Sequence, residues 1–336
     1  MVTRRKILGM GLAAGAIPWV HTAKASTAQY TFKYAGNVND RHPLTIGVAN
    51  AAKMIAERSS GQIRIDLFPN SQLGSDQDML TQLRVGAIDF FTMSGILLAD
   101  LIPTAGISGV GFAFTSIDQV WPIMDGDLGN HIRQSIEKAE LQALPYIFNG
   151  GFRDITTSNR PINTPDDLKN FKIRVPVSPL WTSLFSALGT LPASIGWAEV
   201  YTALQTHVVD GQETPLISVE ASKLYEVQKY CSLTEHMWDG FWMLVNPGSL
   251  ASLPPPLRKI VNDSFAEATL QQRKDSTVAN DTLQGILEKK GMTFNRPDPE
   301  AFQATLRAAG FYKQWQGKFG SQTWTLLEKG LDKRLA

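Results

Sequence analysis

The chain has 336 residues, 43% of them apolar, with 32 Lys and Arg against 31 Asp and Glu and a single cysteine. Its length exceeds one core of usual size, so two domains are expected, and the near-neutral balance excludes a strongly basic nucleic-acid or anionic-lipid surface. Cys231 alone rules out an internal disulfide; its neighbours Lys229, Tyr230, Ser232 and Leu233 offer nothing to activate a thiol, so a buried structural cysteine is expected.

Residues 1–25 read as a targeting segment. Thr3-Arg4-Arg5-Lys6-Ile7-Leu8 forms a twin-arginine pattern, and residues 7–20 are an uncharged, largely apolar run too short to span a bilayer comfortably. Ala23-Lys24-Ala25 supplies the small residues of a cleavage site. Folded-state export and the general secretory route both remain open on this pattern. Removing Arg4, Arg5, Lys6 and Lys24 takes the basic count from 32 to 28 against 31 acidic side chains, a net of −3. No later stretch is apolar enough to cross a membrane, so a soluble, exported product cleaved near Ala25 is expected.

Residues 30–34 (YTFKY) alternate as a strand ended by Ala35-Gly36-Asn37. Pro43 opens a helical pattern to Arg58, and Ile63, Ile65 and Leu67 mark a half-buried strand. A second helix is expected over 75–85, followed by a buried central strand over 87–93. This alternation is the rhythm of an α/β domain with ligands at strand carboxyl ends. The pattern shifts at 144–148 (LPYIF), a strand expected to stop at Asn149-Gly150-Gly151. Thr164 and Pro165 then resemble a helix start, and helices are expected over 179–188 and 198–206. An aromatic strand, 238–245 (WDGFWMLV), ends at Asn246-Pro247-Gly248. Crossings near 151 and 240 would serve as hinges between two lobes. Residues 257–289 form the longest helical pattern, apolar at both ends and polar over 271–281, as suits a helix packed at its ends, wet in its middle and bridging two lobes. Amphipathic helices around Trp315, Phe319 and Trp324 close the chain. There is no internal repeat or low-complexity segment.

The most informative segment is 171–215. It sets Arg174 near the end of a short apolar strand, Lys172–Val175, stopped by Pro176. A guanidinium held by rigid backbone grips a carboxylate with two parallel hydrogen bonds. Arg153 precedes it in GGFRDITTSNRPI, and two fixed arginines suggest an anion site. The alternatives are structural pairs: Arg174 with Asp210 or Glu213, and Arg153 with Asp154 or Asp167. Catalysis lacks its usual signatures. The histidines His21, His42, His131, His207 and His236 are scattered, and HExxH, CxxC, GxSxG and GxxxxGK are missing. Asp210 and Glu213 sit on one tight segment that suits a turn better than an acid/base pair. No metal or cofactor site is expected.

Three long blocks in order carry a resemblance: PNSQLGSDQDMLTQLRVGAIDF (69–90), RDITTSNRPINTPDDLKNFKIRVP (153–176) and AEVYTALQTHVVDGQETP (198–215). With them, the chain resembles the extracytoplasmic solute-binding proteins, DctP type, of tripartite ATP-independent periplasmic (TRAP) transporters, over almost all of the mature sequence. The resemblance implies an α/β, two-lobed periplasmic-binding-protein (Venus-flytrap) fold with a long helix spanning both lobes. Lobe I would comprise 26–151 plus 240–275, and lobe II 152–239 plus 276–336. It also implies a periplasmic, monomeric receptor for an organic acid that docks on a membrane permease. Arg174 matches the family's carboxylate-binding arginine, Arg153 a second cleft arginine, and Trp197 the aromatic residue that packs on the ligand. Thr214 stands where asparagine is usual, and keeps one hydroxyl donor in place of the amide's paired groups. Ser94 stands where the sialic-acid branch carries an acid, which argues against sialic acid. Asn37 and Asp76 match cleft-facing polar positions of that branch.

Trp181, Trp238, Phe241 and Trp242 either pack near the hinge or add apolar contact to the ligand, and Trp238 is taken here as a candidate contact. Two arginines in an aromatic cleft suit a monocarboxylate with an aromatic or bulky apolar body. A C4-dicarboxylate or sugar acid is the alternative, with Asn37, Asp76, Gln72 and Thr214 as its polar partners. A ligand sensor for a membrane signalling partner is a second alternative, and a secreted enzyme is the remotest.

Overall fold

The computed structural model describes residues 28–336, so the targeting segment and its cleavage site lie outside the described residues. The first strands are β1 (Tyr30–Gly36), β2 (Ile63–Phe68), β3 (Phe90–Ser94), β4 (Gln142–Ala143) and β5 (Phe148–Thr157). They are followed by β6 (Lys172–Val175), β7 (Leu191–Ser194), β8 (Gly211–Pro215), β9 (Tyr230–Val245) and β10 (Thr293–Asn295). They join in the order β2-β1-β3-β9-β5-β8-β6-β7, with β4 and β10 paired to β9.

The sheet has two parallel wings, β2-β1-β3 and β8-β6-β7, joined through the antiparallel pair β5 and β9. One end of β9 pairs with β3 (Ser94↔Phe241 to Phe90↔Val245), while β5 pairs with β8 over Arg153↔Pro215 to Thr157↔Gly211. Each wing with its helices is one lobe, and β5 and β9 run through both. One face of the first wing packs Tyr34, Leu44, Val48, Phe90, Val261 and Phe265 together. The corresponding face of the second packs Val200, Leu216, Val219, Cys231, Leu283 and Leu287. On the other side a single core runs past both wings, from Met79 and Phe91 to Trp181, Trp238 and Trp324. Cys231 is buried, as expected, and burial raises its thiol well above the ordinary range.

The glycines at 150 and 151 do not stop a strand. β5 begins at Phe148 and passes through them, with its register against β9 shifting between Asn149 and Gly151 and again between Arg153 and Ile155. Gly151 takes a φ of +106°, and a Cβ on Gly150 would sit 2.7 Å from the Asp239 carbonyl oxygen. These glycines therefore permit an irregularity that bends the strand at the lobe crossing. Likewise β9 reaches back to Tyr230, eight residues before its expected start.

The long helix, Pro255–Lys289, buries Leu257, Val261 and Phe265 in the first core and Leu283 and Leu287 in the second. Its middle is polar but not wholly wet. Gln272 is buried, donates from Nε2 to the Asn149 carbonyl at 2.9 Å and accepts the Asn149 N–H at 3.0 Å. One amide side chain thus satisfies both backbone groups of the residue where the ladder is disturbed. Arg273 reaches the Ile147 carbonyl and makes a bidentate pair with Asp125. Within the segment 276–336, the last helix, Ser321–Leu331, packs on helices Ile117–Met124 and Asp127–Lys138 of the first lobe.

Candidate ligand-binding cleft

A cavity of about 330 Å³ lies between the lobes, where the carboxyl ends of β1, β3, β6 and β8 converge. That is the crevice position in which open α/β sheets hold ligands, and the volume is at the small end of the usual range. It brings together Asn37, Asp76, Ser94, Arg153, Arg174, Trp197 and Thr214. Two expected contacts are absent. Gln72 is exposed on a turn outside the cavity. Trp238 is buried in the core, its ring against Phe114 and Trp121 and its Nε1–H donated to Asn149 Oδ1. Trp181 and Trp242 are equally buried, and among the four aromatics in question only Phe241 faces the cavity.

The polar wall of the first lobe is set by local chain chemistry. Ser75 and Asp78 form a capping box that starts helix Asp76–Arg84 and places Asp76 at its first position, facing the cavity. Asn37, just beyond β1, donates from Nδ2 to Asp76 Oδ1 at 2.9 Å, while its own Oδ1 is buried without a partner. Burial pushes the Asp76 carboxyl up to about 6, against the Asn37 hydrogen bond and the attraction of Arg174.

The two arginines differ sharply in their surroundings. Arg153 is locked by acids: Nε and Nη2 hold Glu213 Oε2 and Oε1 at 2.5 and 2.8 Å, and Nη1 holds Asp239 Oδ2 at 2.7 Å. Trp181 lies under its guanidinium at 4.8 Å. Neither Asp154 nor Asp167, the alternatives read from the sequence, is its partner. Burial works against the Arg153 cation, but Glu213 and Asp239 outweigh it and raise its pKa. Glu213 is buried too, yet Arg153 and His236 hold its carboxyl below the ordinary value. His236 Nε2 lies 3.1 Å from Glu213 Oε2, and burial lowers the imidazole despite that acid. Ser94 Oγ donates to Asp239 Oδ1 at 2.5 Å.

Arg174 is only 3% exposed, yet among the described residues no carboxylate pairs with it. Its Nε donates to the Ile195 carbonyl at 2.8 Å, and Nη1 is buried with no partner. Burial pushes its pKa down to about 9, with Glu213 and Asp76 opposing and Arg153 adding to the effect. The guanidinium sits 5.7 Å from the centre of the half-buried Trp197 ring. A buried cation with an open donor beside an aromatic face has the chemistry to accept an anion.

Reading the sequence missed Ser218 and Asp239, both in the wall, and the Glu213–His236 support behind Arg153. A signal existed for Asp239: an acid inside the aromatic run WDGFW must be buried with its strand and needs a cation. Among the described residues no group of His, Cys, Asp and Glu is arranged to hold a metal ion, and no helix is long and apolar enough to cross a membrane.

Residues 34–315 match the family described as bacterial extracellular solute-binding protein, family 7, DctP. A solute-binding protein of Roseobacter denitrificans is 33% identical over 89% of this chain and 92% of its own length. The 2,3-diketo-L-gulonate-binding periplasmic protein of Escherichia coli is 32% identical over 84% of this chain and 86% of its own. Among solved structures, a TRAP periplasmic solute-binding protein of Roseobacter denitrificans with bound L-galactonate superposes with a TM-score of 0.83 at 29% identity, covering 91% of this chain and 99% of that one. One from a Sulfitobacter species with bound β-D-galacturonate gives 0.85 at 26% identity, covering 90% and 99%. With the cleft at the expected crevice and the match running through both lobes, the chain belongs to the DctP family of TRAP-transporter extracytoplasmic solute-binding proteins.

Proposed function

We propose that this receptor binds a hydroxylated monocarboxylate, an aldonate- or uronate-like sugar acid, and delivers it to a membrane permease. The observation that carries the reading is the unpartnered Nη1 of Arg174, a buried cation lacking its anion. The carboxylate would pair with Arg174, with Thr214 and Ser218 as hydroxyl donors and Trp197 as an apolar platform. Ligand hydroxyls would then meet Asn37 Oδ1, the Asp76 carboxylate and Ser94. An acceptor buried without a donor is what a hydroxyl would satisfy.

The aromatic-acid ligand expected from the sequence leaned on four aromatics, three of which are in the core and out of reach. A C4-dicarboxylate would need a second free cation, and Arg153 is already neutralised by Glu213 and Asp239. Among similar solved structures, those with L-galactonate, β-D-galacturonate and β-D-glucuronate support this ligand class, while others hold succinate, orotic acid or density assigned to pantoate. Binding contacts from both lobes would favour the closed state, which the permease reads. Export with cleavage near Ala25, a monomeric state and the lobe division expected from the sequence, amended so that the last helix goes with the first lobe on which it packs, complete the proposal.

The test is a thermal-shift screen of the mature chain and Arg174→Ala against sugar acids, C4-dicarboxylates and aromatic 2-hydroxy acids. Ligand at about a hundred times its dissociation constant adds roughly 2.7 kcal/mol, a shift of several degrees. Shifts confined to sugar acids and lost in the variant support the reading. Shifts with succinate or mandelate alone would replace the ligand class, and a shift retained by Arg174→Ala would remove the anchor.

A further inference from the structure

The side-chain hydrogen bonds within the cavity wall stay on one side of the cleft or run between neighbouring strands: Asn37 to Asp76, Arg174 to Ile195, Ser94 to Asp239 and Arg153 to Glu213 and Asp239. Just outside it the pattern changes. The loop 39–42, between cleft residue Asn37 and helix Pro43–Arg58, is carried by the first core through Val38, Leu44 and Val48. Facing it is helix Leu216–Ala221, which follows Thr214 and Pro215 and is carried by the second core through Leu216, Ile217 and Val219. Glu220 on that helix pairs with Lys290 at 2.6 Å, just past the second-lobe end of the long helix.

Asn39 Nδ2 and Arg41 Nη2 both donate to the Ala221 carbonyl, at 2.9 and 2.8 Å. Ala221 is the last residue of its helix, so its carbonyl has no partner within the helix, and the loop supplies two. The third contact is His42 Nε2 with Ser218 Oγ at 3.2 Å. Its polarity follows from the other ring nitrogen. His42 Nδ1 accepts the Leu44 N–H and caps the helix, so in the neutral ring the hydrogen lies on Nε2 and is donated to Ser218. Ser218 itself faces the cavity. The same contact that ties the lobes also fixes a wall residue.

The geometry points to an interlobe latch: Asn39, Arg41 and His42 of the first lobe grip Ala221 and Ser218 of the second, hold the lobes closed and thereby set how tightly ligand is retained. These three are positioning residues outside the cavity, and their action does not depend on which acid is bound. Losing two such hydrogen bonds lowers the closed-to-open ratio about fivefold or more, and apparent affinity falls in proportion to the closed fraction when only the closed state binds tightly.

The test is the distance between spin labels at exposed Gln72 and Thr202, one on each lobe, in the mature receptor without added ligand. Cys231 is buried and stays in place. Asn39→Ala with Arg41→Ala is expected to move the distribution to longer distances, with Ser218→Ala giving a smaller shift in the same direction. Identical distributions in wild type and the double variant, whether both long or both short, overturn the latch. Arg41 is exposed, so Arg41→Ala alone serves if the double variant does not fold. A second arm titrates D-galacturonate. Unchanged affinity despite a shifted distance distribution overturns the link to retention, whereas no binding by wild type counts against the sugar-acid reading and leaves the distance result standing.

Discussion

Arg153 and Arg174 face one cavity with opposite states of pairing. Arg153 is held by Glu213 and Asp239, and Arg174 by a single backbone carbonyl and the Trp197 face. The two cations therefore differ in what they do for the fold. Arg153→Met strands two buried carboxylates, and breaking such a network costs about 3–5 kcal/mol. A large drop in the melting temperature is the expected result, and a drop of a degree or less would mean that Glu213 and Asp239 find other partners.

Arg174→Met should behave in the opposite way. It removes a desolvated charge with an unsatisfied donor and replaces it with an apolar chain of similar length. Ligand-free stability is expected to hold or rise while ligand binding is lost, the usual trade at a site built for something absent from the free protein. Calorimetry of the ligand-free variant beside its ligand titration checks both halves. Arg174→Lys is the finer test. A point charge cannot reproduce the planar fork, so affinity is expected to fall on the order of 10- to 100-fold with folding unchanged. Near-native affinity of the lysine variant would sink Arg174 as the carboxylate anchor.

The fold was legible wherever a periodicity ran uninterrupted. Helix Pro43–Arg58 came out at its exact bounds and the long helix within two residues of its start, because apolar spacing and Pro and Gly punctuation agree there. It was not legible at the lobe crossing. Gly150 and Gly151 signal a stop in any local reading, and only the pairing of β5 with β9 turns them into a bend within a continuing strand. The site divides in the same way. Arg174 could be read from its strand, since Lys172–Val175 is short, apolar and closed by proline. The partners of Arg153 could not, because Glu213 and Asp239 lie 60 and 86 positions away and reach it only through the sheet. Trp238 was misread for the complementary reason: alternation in β9 gives two faces and does not say which one meets the cleft.

Asp76 makes ligand binding pH-dependent under the sugar-acid reading. Its pKa in the ligand-free cleft is already raised to about 6 by burial, with Arg174 among the groups holding it down. A ligand carboxylate that occupies Arg174 takes away that support and adds a negative neighbour, so the Asp76 pKa rises further in the complex. Binding then takes up protons at pH above about 6, so affinity increases as pH falls towards about 6 and levels off below it. Asp76→Asn is expected to flatten the profile. Isothermal titration of D-galacturonate in two buffers of different ionisation enthalpy measures the uptake directly. Proton release, or the same slope in the variant, would show that Asp76 stays charged throughout.

Asp154 offers a test of stability instead of binding. It is 3% exposed, accepts the Glu235 N–H at 3.0 Å and has no cation in contact among the described residues. Burial, reinforced by Glu235 and Glu213 and opposed by the Glu235 N–H and by Arg296, pushes its pKa to about 8 from an ordinary 3.8. The folded state therefore holds this proton more tightly than the unfolded chain. The stabilisation from that proton is complete below about 3.8 and is lost as pH rises through about 8. Asp154→Asn keeps an acceptor for the Glu235 N–H and cannot ionise. Its melting temperature should exceed that of wild type above about pH 8, with the difference shrinking steadily towards about pH 4, because the other titrations are common to both proteins and cancel. A difference that grows towards low pH would mean that the Asp154 carboxylate is stabilised in the fold, and the accounting for this buried acid would reverse.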